Sequence, residues 1–341
     1  MYYVRLAAEA EPLLRGFTQQ ATIERLQAER DNVRAGYKHL IAIGEVDIVA
    51  DAIWRVLLYW WIRNQLPVAK AWMDRLLDTG VPLTDRSRAI AITFSSWVSL
   101  SHRGTEVDRR PLQEAAELFR AAGDRFGEGA ALTVQGLACA TAATPDLDGA
   151  EELQRKAIDL VGPDVDPTFN ALFRGQLGSM ELMRGRAADA LATFHQVISI
   201  AQRIGDRFVE MIEYTNAGWA KLALGEPTPE FFARHLELTL QIGNEEGVVN
   251  AVDGLAACAI ALGDLERGGI LLGVTDMLRT RTGSVDQRTY ATSGPIVERV
   301  LASEYAGVFE AARERGRAMS RRAALRYASE PVGAETPVTA A

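Results

Sequence analysis

The residues of this chain that could do chemistry are few and scattered. His39, His102, His195 and His235 fall in different parts of the sequence, with neither the His-Glu-x-x-His pattern nor the Cys/His steps that hold zinc. Cys139 and Cys258 lie 119 residues apart, which predicts two reduced, packed thiols and no bridge. No Gly-x-Ser-x-Gly elbow presents a nucleophile. The four lysines, Lys38, Lys70, Lys156 and Lys221, follow no glycine-rich phosphate loop. Asp146, Asp148, Glu151 and Glu152 cluster without the calcium-loop pattern and read as capping and favourable charge at a helix start. The expectation is a protein that is not an enzyme and takes no metal or cofactor.

The elements that must position any site come from a period. Asn64, Gly104, Pro145, Gly185, Gly225 and Gly263 occupy turn positions at steps of 40, 41, 40, 40 and 38. Seven residues before them stand Leu57, Trp97, Ala138, Gly178, Gly218 and Ala256. A constant step of this size predicts stacked helical hairpins, each burying its apolar face on its neighbours. Apolar spacing and Gly-Asp or Gly-Asn stops place helices near 46–63, 68–78, 85–102, 108–121, 125–143 and 147–161. The series continues near 167–184, 187–204, 207–224, 229–242, 245–262 and 265–281. Two helices precede it, broken near Gly16 and Phe17. A single helix over Val297–Arg315 and a short one after Ser320 follow it.

The expected organisation is an N-terminal helical segment (1–43), repeats (44–283), a helical cap (284–328) and a disordered tail (329–341). The chain is 48% hydrophobic and 24% charged, which is globular chemistry, and no strand pattern competes. A net charge of −8 argues against nucleic acid and anionic membranes as direct partners. No apolar run reaches the roughly 20 residues of a membrane span, and the first residues lack the regions of a secretion signal, so the cytoplasm is expected.

Leu177-Gly178, Gly185, Ala190 and Phe194 form the best repeat, and they resemble tetratricopeptide chemistry: a small residue admits the second helix, glycine turns the chain, and Phe194 fills the gap. Other copies are degraded, with Glu230 and Arg234 standing where Ala190 and Phe194 do. The fold expected is an all-α, tetratricopeptide-like right-handed superhelix (solenoid) of about six helix-pair repeats. In such stacks first helices line a groove. Here its positions carry no Lys or Arg, so the basic clamp that some tetratricopeptide domains close on a peptide carboxylate is missing from them. They offer Trp54, Trp61, Phe94, Gln135, Trp219, Asn250 and Asp253 to an amphipathic helix, an extended peptide or a small apolar effector. The competing reading packs Trp54 and Trp61 against the N-terminal helices.

Two further stretches, Arg25–Ala35 (RLQAERDNVRA) and Phe309–Ser320 (FEAARERGRAMS), resemble the opening and closing segments of the helical-repeat region in bacterial STAND-type regulatory ATPases. That group includes LuxR-type and antibiotic-regulator-type transcription factors. The resemblance implies the sensing or scaffold part of a signal-transducing transcriptional regulator. The ATPase and DNA-reading activities of that family have no matching motifs here. A free-standing scaffold or dimerisation protein stands as the alternative, and an enzyme with an unrecognised site as a remoter one. Arg313, Arg315, Arg317, Arg321, Arg322 and Arg326 read as a solvated face of the cap, with phosphate contact as the alternative.

Overall fold

The structure, a computed structural model, describes residues 2–103, 107–282 and 293–331, without the side chains of residues 101–103, 282 and 293. Among the described residues every regular element is helical. The chain opens with α1 (Tyr2–Leu13), a 3-10 turn (Gly16–Thr18), α2 (Gln19–Ala28) and α3 (Arg30–Ala42). Next come α4 (Val46–Arg55), α5 (Leu57–Ile62), α6 (Leu66–Asp78), α7 (Asp85–Arg103) and α8 (Arg109–Ala121). They are followed by α9 (Arg125–Ala140), α10 (Leu147–Leu160), α11 (Pro167–Met183), α12 (Ala187–Ile204), α13 (Arg207–Ala223) and α14 (Pro229–Ile242). The last are α15 (Glu245–Ala261), α16 (Leu265–Thr282), α17 (Ser293–Leu301), α18 (Ala306–Arg317) and α19 (Arg321–Ala328).

Contacts divide the chain into two compact units. The first is Met1–Gly185 with Gln196–Glu210, and the second is Arg186–His195 with Met211–Ala341. In the first unit each helix from α6 to α10 packs on the next one in sequence, and α1 lies on α4. In the second, α14, α15 and α16 stack in order and α18 closes on α16. Consecutive packing of this kind is what a hairpin period demands, because no hairpin buries its own apolar face.

The turn residues explain why the helices stop where they do. Asn64, Gly185, Gly225 and Gly263 adopt left-handed φ values of 54°, 76°, 76° and 87°, a region that glycine and asparagine tolerate. Starts are equally local. Asp124, Asp146, Asp166 and Asn244 each accept a backbone N–H of the first turn they cap. The turn expected at Gly104, the end of the last hairpin at Gly283 and all but the start of the tail fall outside the described residues.

Four expectations need correction. The helix read over 46–63 breaks at Val56 (φ −101°, ψ 30°), giving α4 and α5. The second of the two N-terminal helices expected likewise breaks at Glu29, giving α2 and α3. The helix read over Val297–Arg315 is interrupted, because the Ser303 hydroxyl bonds the Val300 carbonyl at 2.7 Å and accepts the Tyr305 amide at 3.2 Å, offering the backbone an alternative to helix. In the α13–α14 hairpin Phe232, two residues before Arg234, fills the gap: a Cβ at Gly218 would lie 2.6 Å from its ring.

Glycines also seat the cap. At Gly269, Gly273 and Gly316 an added Cβ would collide with the facing backbone of α18 or α16, so these two helices cross main chain to main chain.

Candidate functional site

The predicted groove residues divide by burial. In the first unit Phe94 is fully buried, edge-on to Trp97 at 6.0 Å. Trp54 is 6% exposed, stacked on Phe119 at 6.2 Å and 5.5 Å from Phe126. Gln135 is buried and donates to the Leu112 carbonyl at 3.0 Å. Trp61 is half-buried, edge-on to Trp97 at 4.8 Å and to Phe208 at 5.0 Å. Trp61 and Phe94 thus share Trp97, while Trp54 belongs to a separate aromatic run through Phe126 to Phe169, 4.7 Å beyond it. The ring partners of Trp54 and Trp61 come from later hairpins of this unit, not from the N-terminal helices.

In the second unit Trp219 is half-buried against Phe232 at 5.0 Å. Asn250 is half-buried one turn before Asp253, which is buried and paired with Arg279 at 3.4 Å. The side chains of Trp54, Phe94, Gln135 and Asp253 are therefore occupied internally. Trp61, Trp219 and Asn250 keep accessible surface.

A more developed arrangement lies at the starts of the first helices of the hairpins in the first unit. Asp124, Asp166 and Asp206 stand there at the same spacing, close to 40 residues, as the turns. Side chains of the N-terminal segment, four residues apart, engage this row and the ion pairs that lead to it. Glu11 pairs with Arg55, Arg55 with Asp51 at 2.6 Å, and Arg86 joins Asp51 at 2.9 Å to Asp124 at 2.8 Å. Arg15 reaches Asp166 Oδ2 through Nε at 2.8 Å and Nη2 at 2.6 Å, with its guanidinium 5.7 Å from the Phe169 ring centre. Gln19 donates to Asp206 Oδ1 at 3.0 Å and accepts the Phe208 amide at 3.3 Å.

Asp206 is enclosed by donors. Thr168 Oγ1 reaches its Oδ2 at 2.8 Å, the amides of Phe208 and Val209 reach Oδ1 at 3.1 Å each, and the Gly16 amide adds another bond. Burial pushes this carboxyl above the usual carboxylate range, against the pull of those donors. Gly16 sits at φ 66°, where a Cβ would come 2.7 Å from the Ile204 carbonyl oxygen, so the segment approaches α12 only with glycine there. Phe17 then lies over Gly205 with 84% of its surface exposed. In the sequence Asp124 and Asp206 mark helix starts in Gly-Asp pairs, while Asp166 follows Val165 and carries no such signal. Nothing in the sequence shows that the residues near Gly16 turn back onto them.

The other candidate groups have internal partners. His235, buried on α14, faces the Met211 carbonyl through Nδ1 at 2.7 Å and the Gly247 carbonyl through Nε2 at 2.9 Å, with Thr215 Oγ1 also on Nδ1. Burial disfavours the charged ring and holds its pKa down at about 4, against the pull of the Met211 and Gly247 carbonyls. Burial pushes Glu213 up to about 8, with only the Asn216 amide at 3.2 Å favouring its charge. Burial also pushes the Cys258 thiol up to about 12. Both thiols are free and buried, and Cys139 accepts from Arg109 at 3.0 Å.

In the acidic cluster, Asp146 caps Gly149 at 2.9 Å while Glu151 and Glu152 pair with Arg155 and Lys156 at 2.7 and 2.6 Å. In the cap, Arg313 and Arg317 pair with Asp276 at 2.7 and 2.9 Å, Arg315 with Glu266 at 2.6 Å and Arg321 with Glu245 at 2.7 Å. These four arginines are engaged by carboxylates. Among the described residues no group of three or more His, Cys, Asp or Glu side chains is placed to hold a metal, and no helix is long and apolar enough to cross a membrane. No protein-family model matches the chain, and no curated protein matches it.

Proposed function

We propose that this chain is a non-catalytic helical-repeat region that binds a protein segment or a small effector, working in the cytoplasm as the sensing and interaction part of a STAND-type, signal-transducing transcriptional regulator. One observation carries the binding reading. Successive hairpins of the first unit hold a continuous stretch of chain by side-chain-specific contacts, Arg15 on Asp166 and Gln19 on Asp206. Repeats that read one segment in this way have the chemistry to read another. The regulator assignment rests on the resemblance of Arg25–Ala35 and Phe309–Ser320 and on the hairpin period. A partner spanning several hairpins would favour one spacing between them over another, and an attached module would sense the difference.

Hydrogen exchange on the full chain with a candidate partner tests this reading. The amides at the starts of α9, α11 and α13 and around Trp61 should slow on binding. Protection confined to the second helices, α8, α10, α12 and α14, would contradict it.

A further inference from the structure

In the second unit the pairs Ala223-Leu224, Ala261-Leu262 and Leu301-Ala302 straddle the ends of α13, α15 and α17, and all six residues are exposed. The turns that follow are equivalent, since the amides of Gly225, Gly263 and Ser303 each bond the carbonyl three residues back at 3.0 Å. Leu224, Leu262 and Leu301 keep 39%, 51% and 38% of their surface, and Tyr305 (53%) and Val308 (64%) continue the row into α18. Single exposed leucines are ordinary, but one at each of three successive turns makes an apolar edge. We propose that this edge docks a basic amphipathic helix of another protein, a site separate from the aspartate row of the first unit.

Spacing selects a helix as the guest. α17 lies against α15, and Phe232 of α14 is held between Gly218 of α13 and Gly254 of α15, where an added Cβ would collide with its ring. First helices packed this closely stand roughly 10 Å apart. A guest helix presents the same face every seven residues, about 10.5 Å along its axis, so leucines at that interval meet successive turns. A strand repeats its face at about 6.6 Å or 13 Å and falls out of step.

Charge selects the sign. The turn segments 224–230, 262–267 and 301–305 carry Glu226, Glu230, Asp264, Glu266 and Glu304 against one base, Arg267. Arg267 turns inward, donating to the Tyr327 carbonyl at 3.1 Å with its guanidinium 4.8 Å from the centre of that ring. Asp264 accepts the Arg267 amide at 3.0 Å. Lys221 pairs with Glu226 and Arg315 with Glu266, yet these two carboxylates stay 59% and 63% exposed. Glu230 and Glu304 are exposed and in no ion pair among the described residues. Lysines or arginines beside the leucines of the guest would meet this border, whereas a second copy of the chain would bring the same carboxylates against themselves.

Fluorescence anisotropy of the full chain with a labelled helical peptide of about 21 residues, carrying leucine at every seventh position and lysines beside them, tests the proposal at physiological salt. The same peptide with serine for leucine is the control of equal charge. The leucine peptide should bind saturably, and the serine peptide about tenfold more weakly. Leu262→Ser should weaken the leucine peptide about fivefold with the circular dichroism spectrum unchanged, and Glu304→Gln about twofold. Leu240→Ser removes a leucine that is 43% exposed near the other end of α14, and it should change nothing. No saturable binding, equal binding of the two peptides, or equal losses in Leu262→Ser and Leu240→Ser overturns the proposal. So does sedimentation that shows a dimer of the unbound chain dissolved by Leu262→Ser, since a second copy would then occupy the edge.

Discussion

His235 and Glu213 show how burial turns potential chemistry into structure. Unfolded, a histidine titrates near 6.5; in the folded chain His235 does so at about 4, so between these values the unfolded state holds the extra proton. Its contribution is complete above about pH 6.5 and is lost as the pH falls through 4, amounting to about 3 kcal/mol. Glu213 has the opposite sign. Its folded pKa of about 8 stands above the ordinary 4.5, so its contribution is complete below pH 4.5 and is lost as the pH rises through 8. The two offset each other between pH 4.5 and 6.5; above that the His235 contribution is constant and the loss from Glu213 continues, with the raised Asp206 carboxyl acting in the same direction. Denaturant unfolding across pH 5 to 9 should show stability declining between about 6.5 and 8. Glu213→Gln should markedly reduce that decline, and a decline of unchanged size in the variant would place its cause elsewhere.

At the scale of elements, helix edges were legible because they are set locally. The glycine turns, the aspartate caps and Pro167 or Pro229 at a first helical position place most ends within two or three residues of the expected ones. The breaks at Glu29 and Val56 were not legible, since both depend on how the N-terminal helices meet the first hairpin. Nor was the role of the segment at Arg15–Gln19, whose partners lie more than 150 residues further on. Asp166 both caps α11 through the Thr168 and Phe169 amides at 3.1 Å each and receives Arg15. Its side chain is 8% exposed and that of Arg15 19%, so solvent compensates little. Asp166→Ala should cost about 2–4 kcal/mol, the loss of a cap plus an orphaned guanidinium. Arg15→Ala should cost less, because the cap survives. Equal losses in equilibrium unfolding would mean that the cap contributes nothing beyond the pair with Arg15.

At the scale of the molecule, the period of about 40 residues fixed the class of fold, and hairpins packed in chain order agree with it. The candidate site was legible only in part. Periodicity marks which face of a first helix looks away from its own hairpin, yet it is blind to what else covers that face. Trp54 is covered by rings from neighbouring hairpins, Phe94 is buried edge-on to Trp97 of its own helix, and the aspartate starts are covered by the chain's own N-terminal segment. A surface that reads a segment in cis can be asked to read it in trans. The most direct measurement is fluorescence anisotropy of a labelled peptide covering residues 9–22, titrated with the full chain and with its Arg15→Ala/Gln19→Ala variant. The tethered segment competes with the peptide in the unmodified chain, so the variant should bind about tenfold more tightly. Adding Asp166→Ala should remove the binding. A variant with the native circular dichroism spectrum that fails to bind the peptide would contradict the claim that these hairpins form a docking surface.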